Sequence, residues 1–188
     1  MANILFIGVG TMGYPMATNL IKNKHSLNFY DPYALEKNIK NLNSLGCVKI
    51  ESLKNIPNNL DFVITMLPTG KEVKEVTIGN HGIFNYTKGK FIYIDMSTIL
   101  PQDSKEIYHK LNKYGISMLD APVARLVQNV IDATLLILVG GNKEDYDLSK
   151  SILSCMGSDV VYCGTSGSGS KMKIINNYMS ILLNVITA

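Results

Sequence analysis

The distribution of hydrophobic residues predicts strands that alternate with helices. Short apolar runs predict buried strands at residues 3–7, 27–30, 60–67, 91–95, 116–119, 134–139 and 160–162, with a weaker strand near 48. Helical spacing is found at residues 12–23, after Pro32, and at 101–115 and 144–156. Proline is favoured at the first position of a helix, so Pro101 is predicted to start one. Gly140 and Gly141 are predicted to end the strand at 134–139. This order predicts an α/β fold with a doubly wound, mostly parallel sheet.

The pattern changes near Ser170, where one long helix is predicted to run to Ala188. This helix is apolar on most of its surface and has no recognisable cap, so it needs a partner to cover it. We therefore predict that residues 1–168 form one domain. Residues 169–188 are predicted to begin a long interdomain helix that leads to a second domain beyond this chain.

A glycine-rich loop joins the first predicted strand to the first predicted helix. Gly8, Gly10 and Gly13 follow the pattern G-x-G-x-x-G, which permits a tight turn, a close approach to a pyrophosphate and helix–strand packing. The N–H groups at the start of the helix would then face the phosphates. This context predicts a Rossmann-type dinucleotide-binding domain. The alternative is an ordinary strand–helix turn that is rich in glycine.

Asp31 ends the second predicted strand, at the distance expected for a residue that binds the adenine ribose. A carboxylate there accepts hydrogen bonds from ribose hydroxyls and repels a 2′-phosphate, which favours NAD over NADP. Lys37 is the nearest charge that could weaken this preference. Alternatively, Asp31 is a turn residue before Pro32.

The long C-terminal helix carries a narrow polar stripe. Its members share one helical face and are Lys173, Asn176, Asn177, Ser180 and Asn184. Asparagine is a poor helix former, so its repetition suggests a hydrogen-bonding role in a cleft. A lysine in such a cleft suits proton transfer to or from a carbonyl or hydroxyl oxygen, because partial burial would lower its pKa. The alternative is a solvated stripe.

Composition narrows the classes of function. The 188 residues are 46% hydrophobic and 18% charged, and the formal net charge of +3 is spread over scattered lysines. These values are typical of a globular protein that binds no nucleic acid. The three cysteines and three histidines lack metal-ligand spacing, so we predict no metal site. The apolar runs are too short for a signal peptide or a membrane span, which predicts a cytoplasmic protein.

Arg125 is the only arginine, beside seventeen lysines. A single arginine in a lysine-rich chain suggests a place where the planar guanidinium is required, such as bidentate binding of an oxyanion. The alternative is a surface arginine without a specific role.

Taken together, these motifs resemble the β-hydroxyacid dehydrogenase family, which includes 3-hydroxyisobutyrate dehydrogenase. The matching segments, in chain order, are Phe6–Gly13 (FIGVGTMG), Met66–Pro68 (MLP), Asp95–Thr98 (DMST), Asp120–Val123 (DAPV), Gly140–Gly141 and Gly169–Asn177 (GSKMKIINN). The resemblance extends over the whole chain and implies a second, all-helical domain after the long helix.

The resemblance also implies roles for individual residues. Lys173, and not Lys171, corresponds to the catalytic acid/base, because it stands three residues before the asparagine pair. The residues expected at the cofactor are Gly8, Gly10, Thr11, Met12, Gly13, Asp31, Met66, Leu67, Pro68 and Thr98. Those expected at the substrate are Arg125, Asn176, Asn177, Tyr178, Met179 and Ser180.

One segment departs from the family pattern. After Val123 the family usually continues Ser-Gly-Gly, whereas this chain has Ala124, Arg125 and Leu126. With an arginine at this position, the chain resembles the branch of the family that reduces 3-sulfolactaldehyde. The expected function is NAD-dependent interconversion of a short anionic aldehyde and its hydroxyacid by a homo-oligomer. The alternative substrates are 3-hydroxyisobutyrate, 4-hydroxybutyrate and tartronate semialdehyde, and a non-catalytic dinucleotide-binding module is the alternative of another class.

Overall fold

The computed structural model describes residues 1–87 and 90–187 and contains a central sheet flanked by helices. The strands are β1 (Asn3–Ile7), β2 (Ser26–Tyr30), β3 (Val48–Lys49), β4 (Phe62–Thr65), β5 (Ile92–Asp95), β6 (Ser117–Asp120), β7 (Val123–Ala124), β8 (Leu136–Gly141) and β9 (Asp159–Gly164). The helices are α1 (Gly13–Lys22), α2 (Glu36–Ser44), α3 (Gly70–Ile78), α4 (Pro101–Asn112), α5 (Val127–Ile131), α6 (Lys143–Leu153) and α7 (Ser168–Thr187). Every predicted strand is present, and the helix expected to start at Pro101 does so.

The order of strands creates a crevice at one edge of the sheet. Strands β3, β2, β1, β4, β5 and β6 lie side by side in that order, and all their pairings are parallel. From β1 the chain adds β2 and β3 on one side of the sheet and then β4, β5 and β6 on the other. The loops that follow β1 and β4 therefore lead away from each other and leave a crevice between them, as in Rossmann-type sheets. Beyond β6, strand β8 pairs antiparallel with β6 and β7 and parallel with β9. The predicted doubly wound, mostly parallel sheet is therefore confirmed.

Both faces of the sheet are buried, which explains the continuous apolar strands. Along β1, Ile4 and Phe6 join one core, whereas Leu5 and Ile7 join the other. Helices α1, α2, α5 and α6 contribute buried side chains to the first core. The second is covered by α3 and α4. The alternation places the carboxyl end of β1 between two packed layers, which fixes the following loop.

The structure corrects one predicted strand end and adds three elements. Gly140 and Gly141 do not stop a strand, because both belong to β8. A Cβ at Gly140 would lie 2.6 Å from Asp120 Oδ1 and 2.7 Å from the Gly169 nitrogen, so close packing against α7 explains this glycine. The elements that the hydrophobic pattern did not predict are α3, β7 and α5.

Helix α7 is long, as predicted, and its apolar side chains are largely uncovered. From Met172 onward its large apolar residues are 41 to 78% exposed, apart from the half-buried Leu182. The last residue of the prediction, Ala188, lies outside the described residues. The domain boundary at residue 168 remains a prediction. Over the described part of the chain, no helix combines the length and apolarity that crossing a membrane requires.

Candidate dinucleotide-binding and active site

A cavity of about 700 Å³ opens between the carboxyl ends of β1, β2 and β4. Its lining includes every residue predicted at the cofactor except Thr98: Gly8, Gly10, Thr11, Met12, Gly13, Asp31, Met66, Leu67 and Pro68. It also includes residues that the sequence did not single out: Ile7, Tyr30, Pro32, Tyr33, Glu72, Glu75 and Val76. Thr98 is exposed after β5 and does not line this cavity.

The three glycines of the loop differ in whether the position requires a residue without a side chain. Gly8 has φ +91°, and a Cβ there would collide with the Met66 carbonyl. A Cβ on Gly13 would collide with the Gly8 carbonyl, so this glycine lets α1 pack onto β1. A Cβ on Gly10 would meet no described atom within 4 Å. The fold therefore requires Gly8 and Gly13, whereas packing within the described residues does not require Gly10.

Two side chains stabilise the glycine loop through hydrogen bonds to the backbone of Val9. Asp31 Oδ2 accepts a hydrogen bond from the Val9 nitrogen at 2.9 Å, and Asn38 Nδ2 donates to the Val9 carbonyl at 2.9 Å. Asp31 Oδ1 also accepts from the Tyr33 nitrogen at 2.8 Å. Asp31 is thus a turn residue that also fixes the loop. Asn38 was not predicted as a site residue, because its burial in α2 and its contact with Val9 are visible only in the structure.

Helix α1 begins at the cavity without a side-chain cap. Met12 stands at the N-cap position, and among the described residues no side chain accepts from the first turn. The first turn also carries no acidic residue. Its N–H groups and the positive end of the helix dipole therefore suit the phosphates of a dinucleotide.

The opposite wall is the face of α3 formed by Glu72, Glu75 and Val76. Thr69 caps this helix by accepting from the Lys71 nitrogen at 3.2 Å, and its hydroxyl donates to Glu72. The hydrogen bond from Thr69 holds the pKa of the Glu72 carboxyl below its usual range. A threonine followed three residues later by glutamate was the available signal for this helix.

A buried hydrogen-bonded chain connects β5 to the cavity wall. Asp95 Oδ1 accepts from Thr65 Oγ1 at 2.8 Å and from the Ser97 nitrogen at 3.1 Å. Ser97 Oγ accepts from the Leu67 nitrogen at 2.9 Å, which holds the loop after β4. Asp95 Oδ2 has no partner among the described residues, and burial raises the pKa of this carboxyl to about 6. In the sequence, Asp95 stands out only as part of the segment Asp95–Thr98.

Asp120 holds the start of the helix that carries Lys173. Its Oδ1 accepts from the Gly167 nitrogen at 2.7 Å, and its Oδ2 accepts from the Ser170 nitrogen at 2.8 Å. The carboxylate is buried at the end of β6 and compensates the positive end of the α7 dipole. No role for Asp120 was predicted, whereas the structure shows that it anchors α7 to the sheet.

Lys173 follows one turn after this anchor. It is half-buried, and desolvation lowers the pKa of its ammonium group. Asn176 is half-buried, and its carbonyl accepts from Ser180 Oγ at 2.8 Å. The remaining predicted substrate residues of α7, namely Asn177, Tyr178, Met179 and Ser180, are exposed. Within the described residues the stripe does not line the cavity, so its role in a cleft remains a prediction.

Arg125 has an unusual backbone conformation and a fixed side chain. Its φ is +89°, a value that favours glycine, and it stands where the resembling family usually has glycine. Nη1 donates to the Thr134 carbonyl, and Nη2 lies 2.6 Å from Asp159 Oδ2. The hydrogen bond with Arg125 lowers the pKa of Asp159.

The strand register places Arg125 at the same edge of the sheet as the cavity. Asp120, the last residue of β6, pairs with Gly140, so the earlier residues of β8 project beyond the carboxyl end of β6. Arg125 follows β7, which pairs with that projecting part. The cavity, the start of α7 and Arg125 therefore share one edge. No group of three or more metal-binding side chains is found in residues 1–87 and 90–187.

Comparisons with known proteins agree with this geometry. A family model for the NAD-binding domain of 6-phosphogluconate dehydrogenase matches residues 3–164. The chain is 39% identical to 3-sulfolactaldehyde reductase of Escherichia coli K12 over 188 residues, which are 100% of this chain and 62% of that protein. It is 37% identical to mitochondrial 3-hydroxyisobutyrate dehydrogenase of Homo sapiens over 183 residues, covering 97% of this chain and 54% of that protein.

Among solved structures, Mycobacterium tuberculosis 3-hydroxyisobutyrate dehydrogenase with L-serine superposes with a TM-score of 0.87 and 31% sequence identity. That match covers 94% of this chain and 59% of the other. The chain thus spans less than two thirds of the length of these relatives. Because the family model matches most of it, the chain belongs to the family of the NAD-binding domain of 6-phosphogluconate dehydrogenase, and the relatives named above are its β-hydroxyacid dehydrogenase homologues.

Proposed function

We propose that this chain is the cofactor-binding part of an NAD-dependent enzyme that interconverts a short anionic aldehyde and its hydroxyacid. The preferred substrate is 3-sulfolactaldehyde. One observation carries the choice of an anionic substrate: the only arginine has a left-handed backbone conformation at the edge shared by the cavity and the start of α7. Backbone strain of this kind is concentrated at active sites and ligand-binding segments.

The charges of the cavity favour NAD over NADP. Its ionisable lining residues include Asp31, Glu72 and Glu75, and neither lysine nor arginine is part of the described lining. A 2′-phosphate on the adenine ribose would face these carboxylates without a compensating cation. NAD lacks that phosphate, so its ribose hydroxyls can donate to Asp31 instead.

Lys173 is the proposed acid/base. Dihydronicotinamide, when bound, supplies a hydride to the carbonyl carbon of the substrate. The Lys173 ammonium donates a proton from Nζ to the carbonyl oxygen, and solvent then returns a proton to the amine. Desolvation lowers the pKa of Lys173, which makes its ammonium a better proton donor. Asp120 acts as a positioning residue because it fixes the first turn of α7.

Arg125 is proposed to bind the anionic end of the substrate. The Thr134 carbonyl holds Nη1, whereas the contact with Asp159 is solvent-exposed and replaceable by another anion. A sulfonate stays fully ionised near neutral pH and offers three acceptor oxygens to the guanidinium. The 39% identity to a 3-sulfolactaldehyde reductase supports the sulfonate. A carboxylate would use the same donors, as 37% identity to a 3-hydroxyisobutyrate dehydrogenase suggests.

The uncovered side of α7 supports a homo-oligomer. Side chains such as Ile181 at 62%, Val185 at 71% and Ile186 at 78% exposure form an apolar surface that water does not favour. We propose that this helix associates with another copy. Sedimentation velocity of the chain should show a dimer that dissociates in an Ile181→Glu variant. A monomer at all accessible concentrations would refute this association.

The decisive experiment compares aldehyde substrates on the longest natural form of the protein. Steady-state rates with NADH should be highest for 3-sulfolactaldehyde, above methylmalonate semialdehyde, succinic semialdehyde and tartronate semialdehyde. Arg125→Lys keeps the charge but loses the planar donor pair, so kcat/KM should fall about tenfold or more. A clear preference for a carboxylate aldehyde would replace the sulfonate assignment with a 3-hydroxyacid dehydrogenase. NADH binding without turnover of any aldehyde would favour a non-catalytic module.

A further inference from the structure

The proposed function uses Glu75 only as one of the three negative charges that line the cavity. Asp31 accepts hydrogen bonds from the Val9 and Tyr33 nitrogens, and Glu72 accepts one from the Thr69 hydroxyl. Glu75 is exposed, lies one turn after Glu72 on the cavity face of α3, and has no side-chain partner among the described residues.

The position of Glu75 corresponds to the base end of a dinucleotide. The uncapped start of α1 suits the pyrophosphate, and Asp31 at the end of β2 suits the ribose. The cavity lining also includes Pro32 and Tyr33, which follow β2, and the α3 face formed by Glu72, Glu75 and Val76. The side chains of Pro32, Tyr33 and Val76 suit the faces of a flat heteroaromatic ring.

Among the described residues, no lysine or arginine nitrogen forms an ion pair with Glu75, although Lys71 stands one turn earlier on α3. Lys74, the residue before Glu75, points to the opposite side, where its Nζ lies 2.7 Å from Asp103 and 3.0 Å from Glu106 of α4. An ionised carboxylate only accepts hydrogen bonds, so it requires a donor on the ring. Adenine has an exocyclic amino group, which donates, whereas hypoxanthine has an oxygen in its place, which a carboxylate repels.

We propose that the Glu75 carboxylate accepts a hydrogen bond from the exocyclic amino group of the cofactor adenine and thereby selects adenine over hypoxanthine. This inference rests on the proposed use of a nicotinamide dinucleotide. It adds a specificity-determining residue on α3 to the glycine loop and Asp31.

The test measures the binding of two reduced cofactors to the 188-residue chain by nucleotide fluorescence. The probes are NADH and reduced nicotinamide hypoxanthine dinucleotide. NADH would form a charge-assisted hydrogen bond with Glu75, whereas the hypoxanthine cofactor would place an oxygen against it. The parent chain should therefore bind NADH at least about tenfold more tightly than the hypoxanthine cofactor. In Glu75→Gln the amide can accept from adenine or donate to hypoxanthine, so the two dissociation constants should agree within about threefold.

A matched control separates the local contact from general charge. Glu144→Gln removes the same charge from an exposed site in the first turn of α6, on the other face of the sheet, and should keep the full preference. Equal binding of both cofactors by the parent chain, or a full preference in Glu75→Gln, would overturn the inference. Binding is measured without turnover, so a protein that keeps the preference but reduces no aldehyde refutes only the proposed function.

Discussion

Gly10→Ala provides the sharpest test of the cofactor site because it separates the fold from the ligand. A Cβ at Gly10 meets no described atom within 4 Å, and its φ lies outside the left-handed region. Replacing a glycine by alanine at such a position restricts the unfolded chain and stabilises a protein by about 0.4–1 kcal/mol. The free energy of unfolding of Gly10→Ala should therefore equal or exceed that of the parent.

The same methyl group should weaken the binding of the cofactor. It would stand on the surface that the pyrophosphate must approach, so NADH affinity should fall about tenfold or more, which corresponds to about 1.4 kcal/mol. Gly13→Ala is the control, because its Cβ collides with the Gly8 carbonyl. Overpacking of this kind costs about 1–3 kcal/mol, so this variant should lose stability.

Urea unfolding and NADH titration of both variants provide the two measurements. With a slope of about 2 kcal/mol per molar urea, a change of 1 kcal/mol moves the midpoint by about 0.5 M. A lower urea midpoint for Gly10→Ala than for the parent would refute the proposed reason for this glycine. Unchanged NADH affinity of Gly10→Ala would refute it as well.

Four further predictions follow from the site. Arg125→Ala and Arg125→Gly both lose the Asp159 contact, but only the glycine variant relieves the left-handed backbone strain. In urea unfolding, Arg125→Gly should therefore be about 1 kcal/mol more stable than Arg125→Ala. Lys173→Ala should lower kcat by about two to four orders of magnitude with little effect on NADH binding, whereas Lys171→Ala should retain turnover. Asp31→Asn should weaken NADH binding and narrow its advantage over NADPH, as measured by fluorescence titration. Burial raises the folded-state pKa of Asp95 to about 6, so the parent should lose stability, relative to Asp95→Asn, as pH rises from about 4 to about 6.

The direction of the Asp95 effect depends on which state releases its proton first. The unfolded carboxyl ionises near pH 4, whereas the folded one keeps its proton until about pH 6. Between these values the folded state binds more protons, so rising pH favours unfolding. In Asp95→Asn the amide oxygen can still accept from Thr65 and Ser97, and the titration is absent. Equal pH profiles of parent and variant would show that Asp95 does not titrate in this range.

The sequence predicted the fold well where one physical signal dominates. Strands buried on both faces, such as β1 and β4, appear as unbroken apolar runs, and Pro101 marks its helix start directly. Helix α3 was missed because it is short and mostly polar, with Val73 and Thr77 as its buried residues. Its capping residues, Thr69 and Glu72, were the better signal.

The contacts that organise the site were harder to predict because they join distant parts of the chain. The hydrogen bond that Asn38 donates to Val9 spans 29 residues, and the one that the Ser170 nitrogen donates to Asp120 spans 50. No local pattern encodes such pairs. The glycine loop was predictable because its strand, turn and helix are contiguous, and its local conformation determines the binding surface.

Asp120 and Arg125 show how one loop connects the two halves of the proposed reaction. Asp120 ends β6 and anchors the helix that carries Lys173, and five residues later Arg125 adopts its left-handed conformation beside β8. A glycine in place of Arg125 would relieve the backbone strain but would provide no guanidinium. The positions of the proposed acid/base on α7 and of the proposed anion-binding group are therefore set by the same segment of chain. If the proposed function is correct, a change in the length of this segment should alter the distance between aldehyde and anion that the substrate must match.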